Sequence, residues 1–367
     1  MADHTKIEWT DATWNPITGC SVHSPGCTNC YAMKLAGTRM KHHWSRKGLT
    51  VDTKAGPVWT GEVRFNEEWL TQPLRWKRPR MIFVCAHADL FHEKVPDEWI
   101  DRIFAVMALC PQHTFQVLTK RADRMRVYIQ GLRDGTRRLY LNEHEFVRAP
   151  YEGGVPKNIW LGVSVEDQKR ANERIPDLLA TPAAVRWLSC EPLLGPLNLI
   201  SISTMQFRGA ELLNTLTGQP YGLFGDECRY SVAGLNWIVA GGESGPGARP
   251  MHPDWARSLR DQCAAAGVPF LFKQWGEWLP IGRLYDDDGD TDETIAAENM
   301  LLSARGREFD DGDWWTDPSD VQVVDSGMYN WANENAQSPP NVIVIKRAGK
   351  QAAGRLLDGI EHNGFPA

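Results

Sequence analysis

MIFVCAHADLF, residues 81–91, runs from apolar residues suited to a sheet into a polar end at Asp89, with His92 just beyond. The same order recurs at TFQVLTKR (114–121), NIWLGVSVED (158–167), VRWLSCEPLL (185–194), LNWIVAGGESG (235–245) and VPFLFKQWGEW (268–278). Between these runs the periodicity predicts helices over 97–110, 121–133, 167–180 and 253–266, the last opened by Pro253 and Asp254 and ending before Gly267. At least six such strand–helix units predict an α/β fold, a partial or complete parallel (β/α) barrel with surface insertions.

Each unit carries its polar residues at the C-terminal end of the apolar run: Asp89 and His92, Lys120 and Arg121, Ser164 with Glu166 and Asp167, Cys190 and Glu191, Glu243, and Lys273. Parallel barrels build their sites at that face, where every strand end converges. Cys190, Glu191 and Lys273 are therefore candidates for catalytic work. Asp89, Ser164, Glu166 and Glu243, with Gly241 and Gly242, are candidates for holding a cofactor. Some polar residues at such positions are helix caps instead, and Asp167 is expected to be one.

The strongest chemical signal lies nearer the N-terminus. GCSVHSPGCTNCYA (19–32) places Cys20, Cys27 and Cys30 in one short, turn-rich segment. Three thiolates leave a tetrahedral metal one ligand short, and an open position is what lets a metal centre do chemistry. A second donor set stays open at this stage: His23 would complete a closed Cys20, His23, Cys27, Cys30 zinc site. The remaining cysteines, Cys85, Cys110, Cys190, Cys228 and Cys263, are scattered, which in a chain of 367 residues argues for reduced thiols rather than a secreted disulfide framework. No apolar run reaches signal-peptide or membrane-span length, so a cytoplasmic protein with no membrane contact is expected.

The net charge of −6 misleads, because residues 281–325 hold fourteen Asp/Glu against three Lys/Arg. That segment contributes about −11 and the rest about +5. It reads as an acidic surface insertion following a domain over 1–280, with 326–367 returning a strand and a basic helix that close the domain. Its aspartates do not fit calcium-loop spacing. Residues 134–157 and 201–232 are long for barrel connections and suit lids or extra hairpins. Residues 1–80 carry twelve Lys/Arg against seven Asp/Glu, including KHHWSRK (41–47) and RWKRPR (75–80), which are candidate phosphate contacts. Solvated surface is the plainer reading of such runs. Among sixteen tryptophans, Trp9 and Trp14 flank the cysteine segment and are candidates to shield a centre from water.

Taken together, IEWTDATWNPITGC and SPGCTNCYA (7–32), ADLFHEKVP (88–96), FQVLTKRADRM (115–125), WLGVSVEDQ (160–168), RWLSCEPLLGPL (186–197), WIVAGGESGPGARPMHPDWARSLRDQC (237–263), FKQWGEW (272–278) and AAGRLLDG (352–359) carry a resemblance. The chain resembles the phage-associated three-cysteine proteins, which are related to radical S-adenosylmethionine enzymes and similar to spore photoproduct lyase. That resemblance implies a partial (β/α) barrel in which Cys20, Cys27 and Cys30 each bind one iron of a [4Fe–4S] cluster. The fourth iron would be left for S-adenosylmethionine, whose reductive cleavage yields a radical that abstracts hydrogen from the substrate. It also implies that Gly241, Gly242 and Glu243, or Asp89, meet the methionyl group, and that Cys190 supplies a hydrogen atom. The first gap between cysteines is six residues and the aromatic, Tyr31, follows the last cysteine; the usual radical enzyme has a three-residue gap and an aromatic before it. Nucleic acid is the favoured substrate, DNA ahead of RNA, with Trp275 and Trp278 as candidate stacking partners for an unstacked base; a radical enzyme on a peptide or small metabolite, and a metal-stabilised nucleic-acid-binding protein without catalysis, stay open as alternatives. An electron donor is required, and a partner protein encoded nearby is compatible with the family.

Overall fold

The computed structural model describes residues 5–142, 145–147, 155–203, 212–221, 231–283, 321–325 and 342–366. Seven parallel strands form one sheet: β1 (Ala12–Trp14), β2 (Met81–Val84), β3 (Thr114–Thr119), β4 (Ile159–Ser164), β5 (Val185–Cys190), β6 (Trp237–Gly241) and β7 (Phe270–Gln274). Their spatial order is their chain order. Crossovers of one hand that always step to the next strand place every connection on the same face, so the sheet curls instead of winding doubly. The result is a half-barrel, open between β1 and β7.

Helices α1 (Tyr31–Gly37), α2 (Asp97–Ala108), α3 (Ala122–Arg133), α4 (Gln168–Leu179) and α5 (Pro253–Ala266) follow β1, β2, β3, β4 and β6. Their signals are local. Asp167 caps α4 by accepting from the Arg170 amide at 2.9 Å, as expected of it. Pro253 sits in the first turn of α5, and Gly267 closes that helix in a left-handed conformation at φ 67°.

Alternation along the strands sorts the two faces. Ile82 and Val84, Phe115 and Val117, Ile159, Leu161 and Val163, Leu188 and Cys190, and Ile238 and Ala240 point to the helix side and build the main core. Phe83, Trp187, Trp237, Val239 and Leu271 point inward and pack with Trp9 into a plug. Trp9, Trp187 and Trp237 meet one another with ring centroids 5.3 to 6.2 Å apart. Gly162 of β4 makes room for it, since a Cβ there would lie 2.4 Å from the Trp187 ring.

The C-terminal tail covers the free edge of β7. Phe272 N–H donates to His362 O, Gly364 N–H donates to Phe270 O, and the Trp237 indole donates to Gly364 O at 2.7 Å. An uncovered edge would offer unpaired backbone groups to other chains. The basic helix expected near the C-terminus is a single turn, Lys350–Ala353, because Gly349 and Gly354 bracket it at positive φ. Ahead of it, Val342–Arg347 pairs with Trp278–Arg283 and Val321–Asp325 in a small antiparallel sheet. Of the acidic segment, residues 284–320 lie outside the described residues, as does Cys228. Leu139–Asn142 and Glu145–Val147 pair as a hairpin, and a three-stranded antiparallel sheet (Ile202–Ser203, Leu212–Asn214, Gln219–Tyr221) stands in the β5–β6 connection. No helix among the described residues is long and apolar enough to cross a membrane.

Candidate functional site

A cavity of about 890 Å³ opens at the C-terminal ends of the strands. Asn15 follows β1, Cys85 to Asp89 follow β2, Thr119 to Arg121 end β3, Ser164 ends β4, Glu191 follows β5, Gly242 to Ser244 follow β6, and Lys273 lies in β7; all line it. Trp9, Phe83 and Leu118 form an apolar floor. The cysteine loop, the start of α1 and residues 39–46 close one side.

The loop is built by turns. Gly19 takes φ 97°, where a Cβ would strike Glu62 O at 2.2 Å, and Pro25–Cys27 forms a 3₁₀ turn. α1 begins at Tyr31, directly after Cys30. All three cysteines line the cavity, and each is free of disulfide bonding.

Charged groups hold this loop from behind. Arg121 donates to Ser21 Oγ at 2.7 Å and is itself fixed by Asp89 at 3.0 Å and Glu93 at 2.8 Å. Glu166, fully buried, accepts from Gly26 N–H at 3.2 Å and from Arg174 at 2.9 Å. Glu243 accepts from Asn29 at 2.9 Å and is gripped by Arg249 at 2.9 and 2.6 Å, while Arg249 also donates to Pro25 O. Lys34 reaches Asn29 Oδ1 and Pro246 O. Burial works to raise the Glu243 carboxyl, but Arg249 and Asn29 outweigh it and hold the group below the usual carboxylate range.

Asp89, Glu166 and Glu243 are thus already engaged. Asp89 alone accepts from Phe91 N–H, Thr119 Oγ1, Lys120 N–H and Arg121. These carboxylates position the cysteines and have little capacity left for a ligand of their own.

The thiols fit a metal centre by donor chemistry. Burial, then the charge of Asp89, pushes the Cys20 thiol up to about 12, and burial raises Cys30 as well. Such thiols stay protonated until a cation draws off the proton. His23 is exposed and does not line the cavity, so the closed zinc set is not assembled. Among the described residues, no three His, Cys, Asp or Glu side chains converge as a cage for one ion.

Other expected residues divide between the two faces. Glu191 and Lys273 meet in the cavity as an ion pair at 3.0 Å, bridging over Gly241 of the intervening strand. A Cβ on Gly241 would lie 2.7 Å from Glu191 Oε1, and one on Gly242 would lie 1.9 Å from Trp275 O. Ser164 accepts from Lys120 Nζ at 2.7 Å. Cys190 is placed elsewhere: strand alternation turns it outward into the helix-side core, fully buried, away from the cavity lining. Trp275 and Trp278 are also corrected from stacking partners to packing residues, their indole N–H groups spent on Leu356 O and Ala248 O. Trp9 forms the cavity floor, while Trp14 faces the helices and donates to Trp69 O. RWKRPR runs directly into the first residue of β2, at the end of the sheet opposite the cavity, whereas Arg39, His43 and Arg46 line it.

Of the lining residues, Tyr31 and His87 were given no site role from sequence, and Arg46 was covered only as one member of the basic run 41–47. Tyr31 is 53% exposed, but its free face is the cavity, and its hydroxyl donates to Ala86 O at 2.5 Å. Nothing in a basic run marks one arginine as buried.

Charge in the lumen is unbalanced. Seven cationic side chains line it, Arg121, Lys273, Lys120, Lys6, Arg39, Arg46 and Lys350, against the carboxylates of Asp89, Glu191 and Glu243. An anionic ligand would correct that excess. A family model described as "Protein of unknown function (DUF5131)" matches residues 4–366. No curated protein and no solved structure matches.

Proposed function

We propose that this chain, which belongs to the DUF5131 family, is an iron–sulfur enzyme of the radical S-adenosylmethionine type acting on nucleic acid, repairing or modifying a base. The observation that carries the reading is the joining of three free cysteines on one braced loop to a cationic cavity walled by all seven strand ends. Cys20, Cys27 and Cys30 would hold a [4Fe–4S] cluster and leave one iron for S-adenosylmethionine. When bound, the two would supply reductive cleavage and hydrogen abstraction from the substrate, with an outside electron donor.

The chain's own residues have the supporting work. Asp89, Glu166 and Glu243 fix the loop through Arg121, Gly26 and Asn29. Trp9, Phe83 and Leu118 keep water from the floor of the cavity. Gly241 and Gly242 make room for the Glu191 carboxylate and the Trp275 carbonyl, and so let Glu191 reach across β6 to Lys273. Lys273 holds a proton on Nζ within reach of Glu191, and both face the cavity. Free thiols on a loop that would hold a cluster suit a reducing compartment, and on that ground we place the protein in the cytoplasm.

The test is anaerobic reconstitution with iron and sulfide, reduction with S-adenosylmethionine present, and mass spectrometry for 5′-deoxyadenosine and methionine. Product that requires all three cysteines is expected. A cluster-loaded protein that yields none, with or without DNA, would sink the radical reading and leave a metal-stabilised binding protein.

A further inference from the structure

Arg46 is a cation without a counter-charge. Its side chain is only 3% exposed, it lines the cavity, and no carboxylate among the described residues pairs with it. Its partners are neutral: Nη1 donates to Ser45 Oγ at 2.7 Å, and Nη2 contacts His87 Nδ1. The charges that bear on it are Arg64, which repels, and the Tyr31 hydroxyl. Burial and Arg64 pull the guanidinium down to about 10, which still leaves it charged at neutral pH. Taking such an ion out of water costs several kcal/mol unless an opposite charge compensates. Every other buried arginine discussed above, Arg121 and Arg174, has its carboxylate.

We propose that Arg46 is the base of an anion pocket that takes a phosphate group of the substrate. The surrounding groups are donors. His87 is held neutral, and because Nδ1 faces the guanidinium, its proton belongs on Nε2, where it can donate. Arg39 and Lys6 line the same cavity, are exposed, and have no ion-pair partner among the described residues. A guanidinium fork matches phosphate oxygens in pairs, which an ammonium does not.

The neighbours favour a nucleotide over a bare anion. Trp69 lies 5.8 Å from the Arg46 guanidinium and groups with His43 and Trp44, Trp44 being 47% exposed. Aromatic faces beside a phosphate site are the furniture of single-strand nucleic-acid binding. Tyr31, next to Cys30, has its ring 6.1 Å from that of His87, the imidazole that contacts Arg46, so this side chain stands between the pocket and the cysteine loop. This identification of the occupant rests on the nucleic-acid reading above. The pocket itself does not.

The experiment uses the full chain without iron, with calorimetric titration of inorganic phosphate, thymidine, thymidine 5′-monophosphate and a short oligothymidylate. The monophosphate should bind at least about tenfold more tightly than thymidine, and Arg46→Met should remove that advantage. Arg46→Met should also melt no lower than the unaltered protein, because it removes an uncompensated buried charge. Arg46→Lys, the more conservative change, should fold and retain part of the phosphate binding. Equal binding of thymidine and its monophosphate overturns the proposal, as does phosphate binding that survives Arg46→Met or is unaltered in Arg46→Lys. Arg46-dependent binding of phosphate and monophosphate, with no competition from the oligonucleotide, upholds the pocket and removes the nucleic-acid reading.

Discussion

The cysteine loop and the Arg46 pocket face one cavity and treat charge in opposite ways. Around the loop three carboxylates each have a guanidinium: Asp89 with Arg121, Glu166 with Arg174, Glu243 with Arg249. Around Arg46 the described residues supply no carboxylate, but Ser45, His87, the Trp69 and Tyr31 rings and a repelling Arg64. Matched charges are scaffold, since their interaction is already complete before a ligand arrives. An unmatched buried charge is a cost carried in the free protein, and a ligand that neutralises it recovers that cost on binding.

The largest effect expected belongs to the loop. Replacing Cys20, Cys27 or Cys30 with Ala should abolish iron loading, read as loss of the broad visible absorption of a cluster, while Cys190→Ala, Cys110→Ala and Cys263→Ala should retain it. Cys190 is the sharpest control, because it ends a strand whose next residue, Glu191, lines the cavity. Equal losses from both groups would refute the assignment of the ligands.

Next comes the brace. Glu243→Ala would remove the carboxylate that Arg249 and Asn29 share, leaving them only the Pro25 and Gly247 carbonyls, and a lost charge-assisted contact of this kind costs about 2 kcal/mol. Denaturant titration should report that loss, and a chelator should strip iron faster from the variant than from the unaltered protein. Arg46→Met should show neither change. If the two variants destabilise alike, the contrast between matched and unmatched charge fails.

A smaller effect is expected across β6. Gly241→Ala places a methyl 2.7 Å from Glu191 Oε1 and must displace the carboxylate from Lys273. Overpacking of this kind costs about 1–3 kcal/mol. Folding should survive, and product formation should fall more than iron content. An equal fall in both would make the Glu191–Lys273 pair structural only.

How much of this was visible in the chain depends on range. The strands β2 to β7 and the four longer helices follow from local patterns, because hydrophobic alternation, Asp167 and Gly267 act within a few residues of themselves. β1 spans only Ala12–Trp14, too short for a pattern, and becomes a strand by pairing with β2, where Trp14 stands opposite Val84, seventy residues later in sequence. The cysteines were legible from spacing. That Asp89 and Glu243 serve the loop was not, since their partners Arg121, Arg249 and Asn29 converge only in space. Cys190 misleads for a simpler reason: one step along a strand changes the face, and Glu191 beside it takes the inner one. Arg46 sits in KHHWSRK beside two lysines and two histidines, and only packing distinguishes it.

The mildest expected effect probes the same contrast through protons. Burial first, then the Arg46 charge, lowers His87 to about 4 from its ordinary 6.5. The folded protein therefore resists protonating His87, while the unfolded chain takes up that proton as pH falls below 6.5. Between about pH 6.5 and 4 the unfolded state binds more protons, so this group makes stability fall as pH falls, and adds no further loss below its folded value. His23, His92 and His113 are lowered too, so the unaltered protein and His87→Gln must be compared at each pH to isolate the share of His87. Denaturant titrations at pH 6.5 and 4.5 should show the variant losing less stability than the parent. Saturating phosphate should narrow that difference, because an anion beside Arg46 offsets the repulsion that disfavours the imidazolium. A difference that ignores phosphate would mean that Arg46 and His87 form a closed structural contact, and that the two sides of the cavity are alike after all.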